Sequence, residues 1–461
     1  MNSQSKKMEL LGSASIPKAL LAMGIPTMIG MLVNAFYNLV DAYFVGGLGE
    51  SQMGAISVVY PLGQVVVGLG LLFGNGAASY ISRLLGRGYK ENADKVASTA
   101  LYSSVSAGAV IIIISMVFLH PILKLLGATD SILPFAATYA SLYIVSCIFN
   151  VFNVTMNNIV TSEGAAKTTM CALLTGAVLN IALDPLFIYV FNLGVAGAAI
   201  ATAISQAVST CVYLTYIFRK KSVFHFRVKD CTYTKETMSE IFKIGIPTLV
   251  FQILTSVSIS LINNAAGDYG DSAIAGMGVV TRLISMGSLS VFGFIKGFQP
   301  IAGYSYGAKK FDRLREAIKT SILWSTVFCV IFGVILALFP TAIVSQFTKG
   351  DAEMIRIGAA SLRANGISIM LFGFYTVYSS LFLALGKGRE GFILGACRQG
   401  ICFIPVILLL PIVWGLNGIM YAQPIADMLS AAITVFMAIP LHKKLNEMQK
   451  QTSAINTKDN D

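Results

Sequence analysis

The sequence predicts an all-α integral membrane protein, with twelve transmembrane helices as two six-helix bundles related by pseudo-two-fold symmetry along the membrane normal. Three observations carry that expectation. The 461 residues are 55% hydrophobic and 12% charged, with a mean hydropathy of +0.73, whereas a soluble domain carries about 25% charged residues. Twelve apolar segments reach the ~20 residues that a spanning helix needs. The second half of the chain repeats the first at a constant offset.

The spans are expected at 16–45, 52–82, 93–119, 131–160, 167–191 and 194–218 in the first half. In the second half they are expected at 238–266, 272–300, 314–341, 352–384, 390–413 and 415–441. Residues 1–15 form a polar cytoplasmic amino terminus containing Lys6 and Lys7. The apolar run after them is too long, and lacks the cleavage site, for a removable signal peptide. The stretch 219–237 is a basic cytoplasmic linker between an N-lobe (16–218) and a C-lobe (238–441), and 442–461 is a cytoplasmic tail. From about Lys450 the tail is polar enough to be disordered.

Loop charge sets the orientation. Arg83, Arg87, Lys90 and Lys95 follow segment two, and Arg219, Lys220, Lys221, Arg227, Lys229 and Lys235 follow segment six. Lys309, Lys310, Arg313 and Arg315 follow segment eight, Lys387 and Arg389 follow ten, and His442, Lys443 and Lys444 follow twelve. The alternate loops carry little beyond Lys124 and Lys349. By the positive-inside rule, every even-numbered exit and both termini face the cytoplasm of a multi-pass cell (inner) membrane protein. The same placement explains the net charge of +11 without nucleic acid.

The repeat has an offset of 221 residues. It carries Gly24-Ile25-Pro26-Thr27 onto Gly245-Ile246-Pro247-Thr248, Phe73 onto Phe294, Gly76 onto Gly297 and Gly86 onto Gly307. Asp130, Gly194 and Gly197 fall onto Asp351, Gly415 and Gly418. Each half has an even number of spans, so both halves enter from the same side and form a parallel repeat.

Polar residues inside the spans are where function is expected. The stretch Asn34-Ala35-Phe36-Tyr37-Asn38-Leu39-Val40-Asp41 places a carboxylate, a phenol and two amides in segment one. Asn180 and Asp184, four apart, share one face of segment five. An ionisable group in hydrocarbon costs at least about 2.5–3.5 kcal/mol, so it faces a cavity or a partner. Counting rise from the helix ends puts Asp41, Asp184, Thr202 and Tyr139 at similar depth in the outer half. Such an oxygen set suits a hard cation, and paired carboxylates raise one another's pKa, which suits a proton carrier. An inert hydrogen-bond network between helices is the alternative. Neither acid has a repeat mate, because Ile262 and Pro405 stand at the equivalent positions.

The second half holds its own intramembrane charges, Arg282, Arg398 and Asp427. Arg398 and Asp427 fall at similar depth and read first as a structural salt bridge. Gln252, Gln399 and Gln423 are candidates to line a cavity, while the 18 methionines are for the most part membrane filler. Seven cysteines without a CxxC and three scattered histidines give no metal or disulfide framework. No GxxxxGK[ST] loop, nucleophile elbow, HExxH or HRD motif is present. Enzymatic activity is therefore not expected, and transport energy has to come from an ion gradient.

Gly24-Ile25-Pro26, Tyr37-Asn38-Leu39-Val40-Asp41, Ser82-Arg83-Leu84-Leu85-Gly86, Asn180 with Leu183-Asp184-Pro185, and Gly194-Val195-Ala196-Gly197-Ala198-Ala199 together resemble the MATE (multidrug and toxic compound extrusion) family. The pattern is most similar to its DinF-like and MepA-like branch. The resemblance implies a V-shaped antiporter that exports cationic amphipathic compounds against H+ or Na+, with no other cofactor. It also implies an ion site, for Na+ where Na+ is the coupling ion, at Asp41, Asn180, Asp184 and Thr202. Cavity and substrate contacts are implied at Asn34, Tyr37, Tyr139 and Asn157, with Arg282, Arg398 and Asp427 as a polar C-lobe group. A monomer in the lipid bilayer is expected. The alternative function is a flippase for a lipid-linked saccharide or lipid, which needs several cations in its cavity.

Overall fold

The computed structural model describes residues 3–46, 48, 50–126, 128–347 and 351–458; Lys349 lies outside the described residues. The described residues form helices and loops, and twelve helices are long and apolar enough to cross a membrane, from Ile16–Val45 to Leu416–Gln451. They are preceded by a short helix, α1 (Ser3–Gly12). The first bundle consists of α2 (Ile16–Gly46), α3 (Glu50–Gly86), α4 (Lys90–Val117), the short α5 (Leu119–Leu125), α6 (Leu133–Ser162), α7 (Ala166–Pro185) and α8 (Val195–Phe218). The second consists of α9 (Lys235–Gly267), α10 (Asp271–Gly307), α11 (Phe311–Leu338), the short α12 (Pro340–Val344), α13 (Ala352–Ser368) continued by α14 (Phe372–Ala384), α15 (Gly388–Ala396) continued by α16 (Phe403–Trp414), and α17 (Leu416–Lys458).

The repeated glycines fall where the two bundles meet. A Cβ on Gly86 would lie 2.2 Å from the Tyr304 carbonyl oxygen, and one on its repeat mate Gly307 would lie 2.2 Å from that of Arg83. Only a Cα hydrogen lets α3 and α10 approach so closely. A different constraint keeps Gly194 and Gly415, which have φ of +55° and +56° with ψ of −133° and −135°. That region is open essentially to glycine alone, and it lets α8 and α17 turn back against the preceding span.

Two helices have a foot in each bundle. The first turns of α2, with Leu20 and Met23, are buried in the second bundle's core beside Ile295 and Phe298 of α10. Farther along, α2 packs on α7. Symmetrically, Ile241 of α9 is buried in the first bundle's core with Phe73 and Ala77 of α3. Pro26 and Pro247 lie on α2 and α9 close to where each crosses between bundles. Each proline leaves one helical carbonyl unpaired and permits a bend there. The Thr27 hydroxyl lies 2.6 Å from the Gly293 carbonyl oxygen, a link from α2 to α10 beside the proline.

The inter-bundle seam is polar and continuous toward the basic loops. Arg83 pairs with Glu240 at 2.7 Å, Asn75 Nδ2 donates to Thr248 at 2.9 Å, and Gln252 Nε2 donates to Gln64 at 2.6 Å. Beyond Gln64 and Gln252, toward the opposite face, no inter-bundle hydrogen bond joins the described residues. The inter-bundle hydrogen bonds thus gather on the basic side of the described residues.

The amino terminus is more structured than its polarity suggests. Lys7 on α1 is buried against Glu163, which is itself 0% exposed, at 3.2 Å. Glu163 also accepts from the Tyr216 hydroxyl, the Ser222 hydroxyl at 2.9 Å and the Val223 amide at 2.6 Å. Burial pushes the Lys7 ammonium below the usual lysine value, and the Glu163 carboxylate opposes that push. At the other end of α1, Lys310 donates to the Gly12 carbonyl at 2.8 Å and Arg313 to that of Leu11 at 3.2 Å. Thus α1 straps both bundles together across the basic face. Glu163→Ala strands a buried ammonium, which costs about 3–5 kcal/mol. Hydrogen exchange across residues 3–12 is expected to accelerate, and unchanged protection would show that the pair does not hold the strap. The carboxy terminus corrects the expectation of disorder from Lys450, because α17 runs on to Lys458. The span has already nucleated the helix, and Leu445, Glu447, Met448 and Gln449 just ahead of Lys450 are good helix formers, so the helix propagates onward.

Candidate functional site

Two polar centres lie within the spans. The first sits in the N-lobe between α2 and α7. The carboxyl groups of Asp41 and Asp184 face one another at short range. Asp184 is 0% exposed, and Asn180 Nδ2 donates to its Oδ1 at 3.3 Å. Asp41 Oδ1, Asp184 Oδ2 and Asn180 Oδ1 are buried and have no hydrogen-bond partner among the described residues. Buried oxygens normally find partners, so three such acceptors on α2 and α7 stand out among the buried polar atoms. The chain beyond Asp184 helps to form it. Pro185 ends α7, and the next five residues, Leu186–Val190, form a π-helical turn. Such turns re-aim side chains and recur at functional sites.

Sequence-predicted residues distribute unevenly around this centre. Tyr37 and Tyr139 are close enough to feel the charge of Asp41, and Tyr139 stacks on Tyr143 with ring centroids 5.5 Å apart. Both phenols therefore belong with the acid pair. Thr202 on α8 is half-buried and makes no hydrogen bond among the described residues. Asn34 is exposed, and its carbonyl accepts from Asn38 Nδ2 at 2.7 Å. Asn157 lies elsewhere, donating to the Tyr213 hydroxyl at 3.3 Å and accepting from Lys296.

The second centre is a cavity of about 480 Å³ built mainly from α9, α10, α14, α15 and α17. Gln252, Gln399 and Gln423 all line it, as do Met31, Met277 and Met420 with the rings of Phe251 and Phe292. Asn34, Tyr37, Tyr139 and Asn157 are not among the residues that line this C-lobe cavity. Arg398 reaches the cavity from a second π-helical turn, Cys397–Ile401. Its Nε donates to Asp427 Oδ1 at 2.9 Å, and its guanidinium stacks 4.7 Å from the Phe372 ring centre. Gln423 at 2.9 Å and the Ser368 hydroxyl at 3.0 Å complete the donors to Asp427. Both oxygens of the Asp427 carboxylate are thus satisfied, as a structural ion pair requires. Arg282, expected among the buried charges, has an exposed side chain.

Sequence reasoning missed Lys296. It lies inside an apolar run, Phe294-Ile295-Lys296-Gly297-Phe298, about eleven residues before the end of α10. A lysine that deep within a span was itself the signal.

The MatE family profile matches residues 26–186 and 247–409. The chain belongs to the MatE family. The two matched blocks begin 221 residues apart, which is the offset of the internal repeat. Among curated MATE relatives, the chain is 31% identical to the multidrug export protein MepA of Staphylococcus aureus strain MSSA476, over 93% of its own length and 94% of that protein's. It is equally 31% identical to MepA of Staphylococcus haemolyticus, over 94% and 95%. Among solved structures it resembles an outward-facing multidrug resistance MATE family transporter of the MOP superfamily, with a TM-score of 0.90 and 26% identity. That likeness covers 96% of this chain and 99% of the other. A MATE transporter in two bundles of six is thus the architecture in which both centres sit.

Proposed function

We propose that this MATE transporter is an antiporter that exports organic cations and drugs across the cytoplasmic membrane, driven by inward movement of H+ or Na+ bound at Asp41 and Asp184. The observation that carries the reading is the cluster of orphaned oxygens on Asp41, Asp184 and Asn180. Two carboxylates in low dielectric repel one another, and either a shared proton or a small cation relieves that repulsion. Oxygen ligands alone serve a hard cation equally well, and in this reading Thr202 on α8 adds a hydroxyl. The MepA relatives are multidrug export proteins, and the apolar, methionine-lined cavity suits compounds of varied shape.

The basic loops face the cytoplasm in this reading, so the seam is closed inside and the cleft opens outside. Loading the acid pair changes the packing of α2 on α7. Because α2 begins in the other bundle's core, a change in its bend at Pro26 alters the inter-bundle seam. Proteoliposomes with imposed pH and Na+ gradients, applied separately, test the scheme. Ethidium efflux is expected with one gradient and not without it. Efflux that needs neither, or that persists in Asp41→Asn, removes the acid pair from the coupling role.

A further inference from the structure

We propose that Lys296 is a substrate-recognition residue that selects amphipathic compounds bearing a carboxylate, zwitterionic aromatics included. The inference rests on the transport reading above and deepens it by naming what the C-lobe cavity prefers.

Four observations converge. Lys296 lies on the cavity wall, half-buried, with apolar neighbours on either side along α10. Among the described residues it has no carboxylate partner, and its single hydrogen bond goes to the neutral amide oxygen of Asn157 on the opposite bundle. The other cation on the wall, Arg398, is neutralised by Asp427. Among the described residues no Asp or Glu lines the cavity, Asp41 and Asp184 included.

The cavity therefore carries one uncompensated positive charge in surroundings that are otherwise apolar and amide-rich. A buried ammonium is costly unless paired, and a charge-assisted hydrogen bond to a carboxylate is about twice as strong as a neutral one. Lys296 is thus short of one anionic partner, and a ligand can supply it. The apolar body of such a ligand has Phe251, Phe292, Met277 and Met420 to lie against, while Gln299 and Gln399 offer further amide contacts. A compound without an anion still has the same apolar wall to lie against but gains no contact with the ammonium. Lys296 consequently ranks substrates by whether they carry an anion.

Two dyes isolate that single feature. Rhodamine 110 has a free carboxylate, and rhodamine 123 is its methyl ester with the same ring system. Binding is measured by fluorescence polarisation with purified full-length protein in phosphatidylcholine nanodiscs. Wild type is expected to bind rhodamine 110 at least about tenfold more tightly than rhodamine 123. Lys296→Met is expected to shrink the preference below about twofold, and Lys296→Arg to keep it. Wild type binding both dyes equally, or preferring the ester, overturns the proposal without any variant having to fold. Preference surviving in Lys296→Met overturns it as well, because the carboxylate is then read elsewhere. Preference lost on adding phosphatidylglycerol assigns Lys296 to lipid headgroups and also overturns it. Gradient-driven ethidium efflux by wild type tests the transport reading separately, so the two ideas fail independently.

Discussion

Asp184→Asn is expected to reduce ethidium efflux to the background of cells lacking the transporter, with expression and thermal stability at or above wild type. The substitution keeps shape and volume but removes one of the two charges to which the proposed coupling is assigned. Asp184 is 0% exposed, and its Oδ2 has no hydrogen-bond partner among the described residues. Replacing an ionisable group at such a position relieves a desolvation cost. Loss of function without loss of stability separates a coupling residue from an inert helix-to-helix network, in which the same change weakens the fold. Asp41→Asn is expected to behave alike, and efflux at wild-type level in either variant would leave the acid pair without a role. The readouts are dye efflux in cells and the melting temperature of the purified protein.

Gly307→Ala is expected to cut efflux at least about tenfold by wedging the seam open. A Cβ at that position meets the Arg83 carbonyl oxygen at 2.2 Å, so the backbones must separate by roughly 1 Å to reach ordinary contact distance. The obstacle is backbone, which has no rotamer to give way. Each bundle keeps its own core, so the protein folds, but the state closed on the basic side is disfavoured. A bias of about 1.4 kcal/mol already changes a two-state ratio tenfold. Spin-label distances across the basic face are expected to lengthen. Gly86→Ala, on the repeat mate, produces the same shift, whereas Gly278→Ala, with nothing within 4 Å of its Cβ, is the neutral control. Unchanged distances in Gly307→Ala would mean that the seam is plastic rather than close-packed.

Much of this architecture was legible in the residues. Apolar run length marked the spans, because a helix crossing lipid has to satisfy its own backbone. The Gly86 and Gly307 register marked the repeat, because close backbone approach admits no other residue at either place. Asp184 and its neighbour Asn180 announced the acid centre through the cost of placing a carboxylate there. What escaped reading depends on tertiary direction. Nothing in Leu20 or Met23 says that these residues are buried in the opposite bundle, since an apolar side chain suits either core. Tyr37 and Tyr139 share a lobe with the acids, but whether a phenol points into a cavity or toward a carboxylate depends on helix rotation. The π-helical turns at Leu186–Val190 and Cys397–Ile401 shift that rotation partway along a span. Lys296 was visible as a charge, but its significance depends on Arg398 being neutralised and on the cavity wall lacking any acid.

The acid pair and the cavity have no wall residue in common. In the proposed antiport, ion and cargo therefore need not displace one another from shared atoms. Both can reside on the protein at once, in a ternary complex, and information between them has to travel as backbone rearrangement along α2. Kinetically, rising external ion should lower the maximal rate of drug uptake into inverted vesicles, or raise it, while leaving apparent drug affinity largely alone. A purely competitive pattern would require the two occupants to touch.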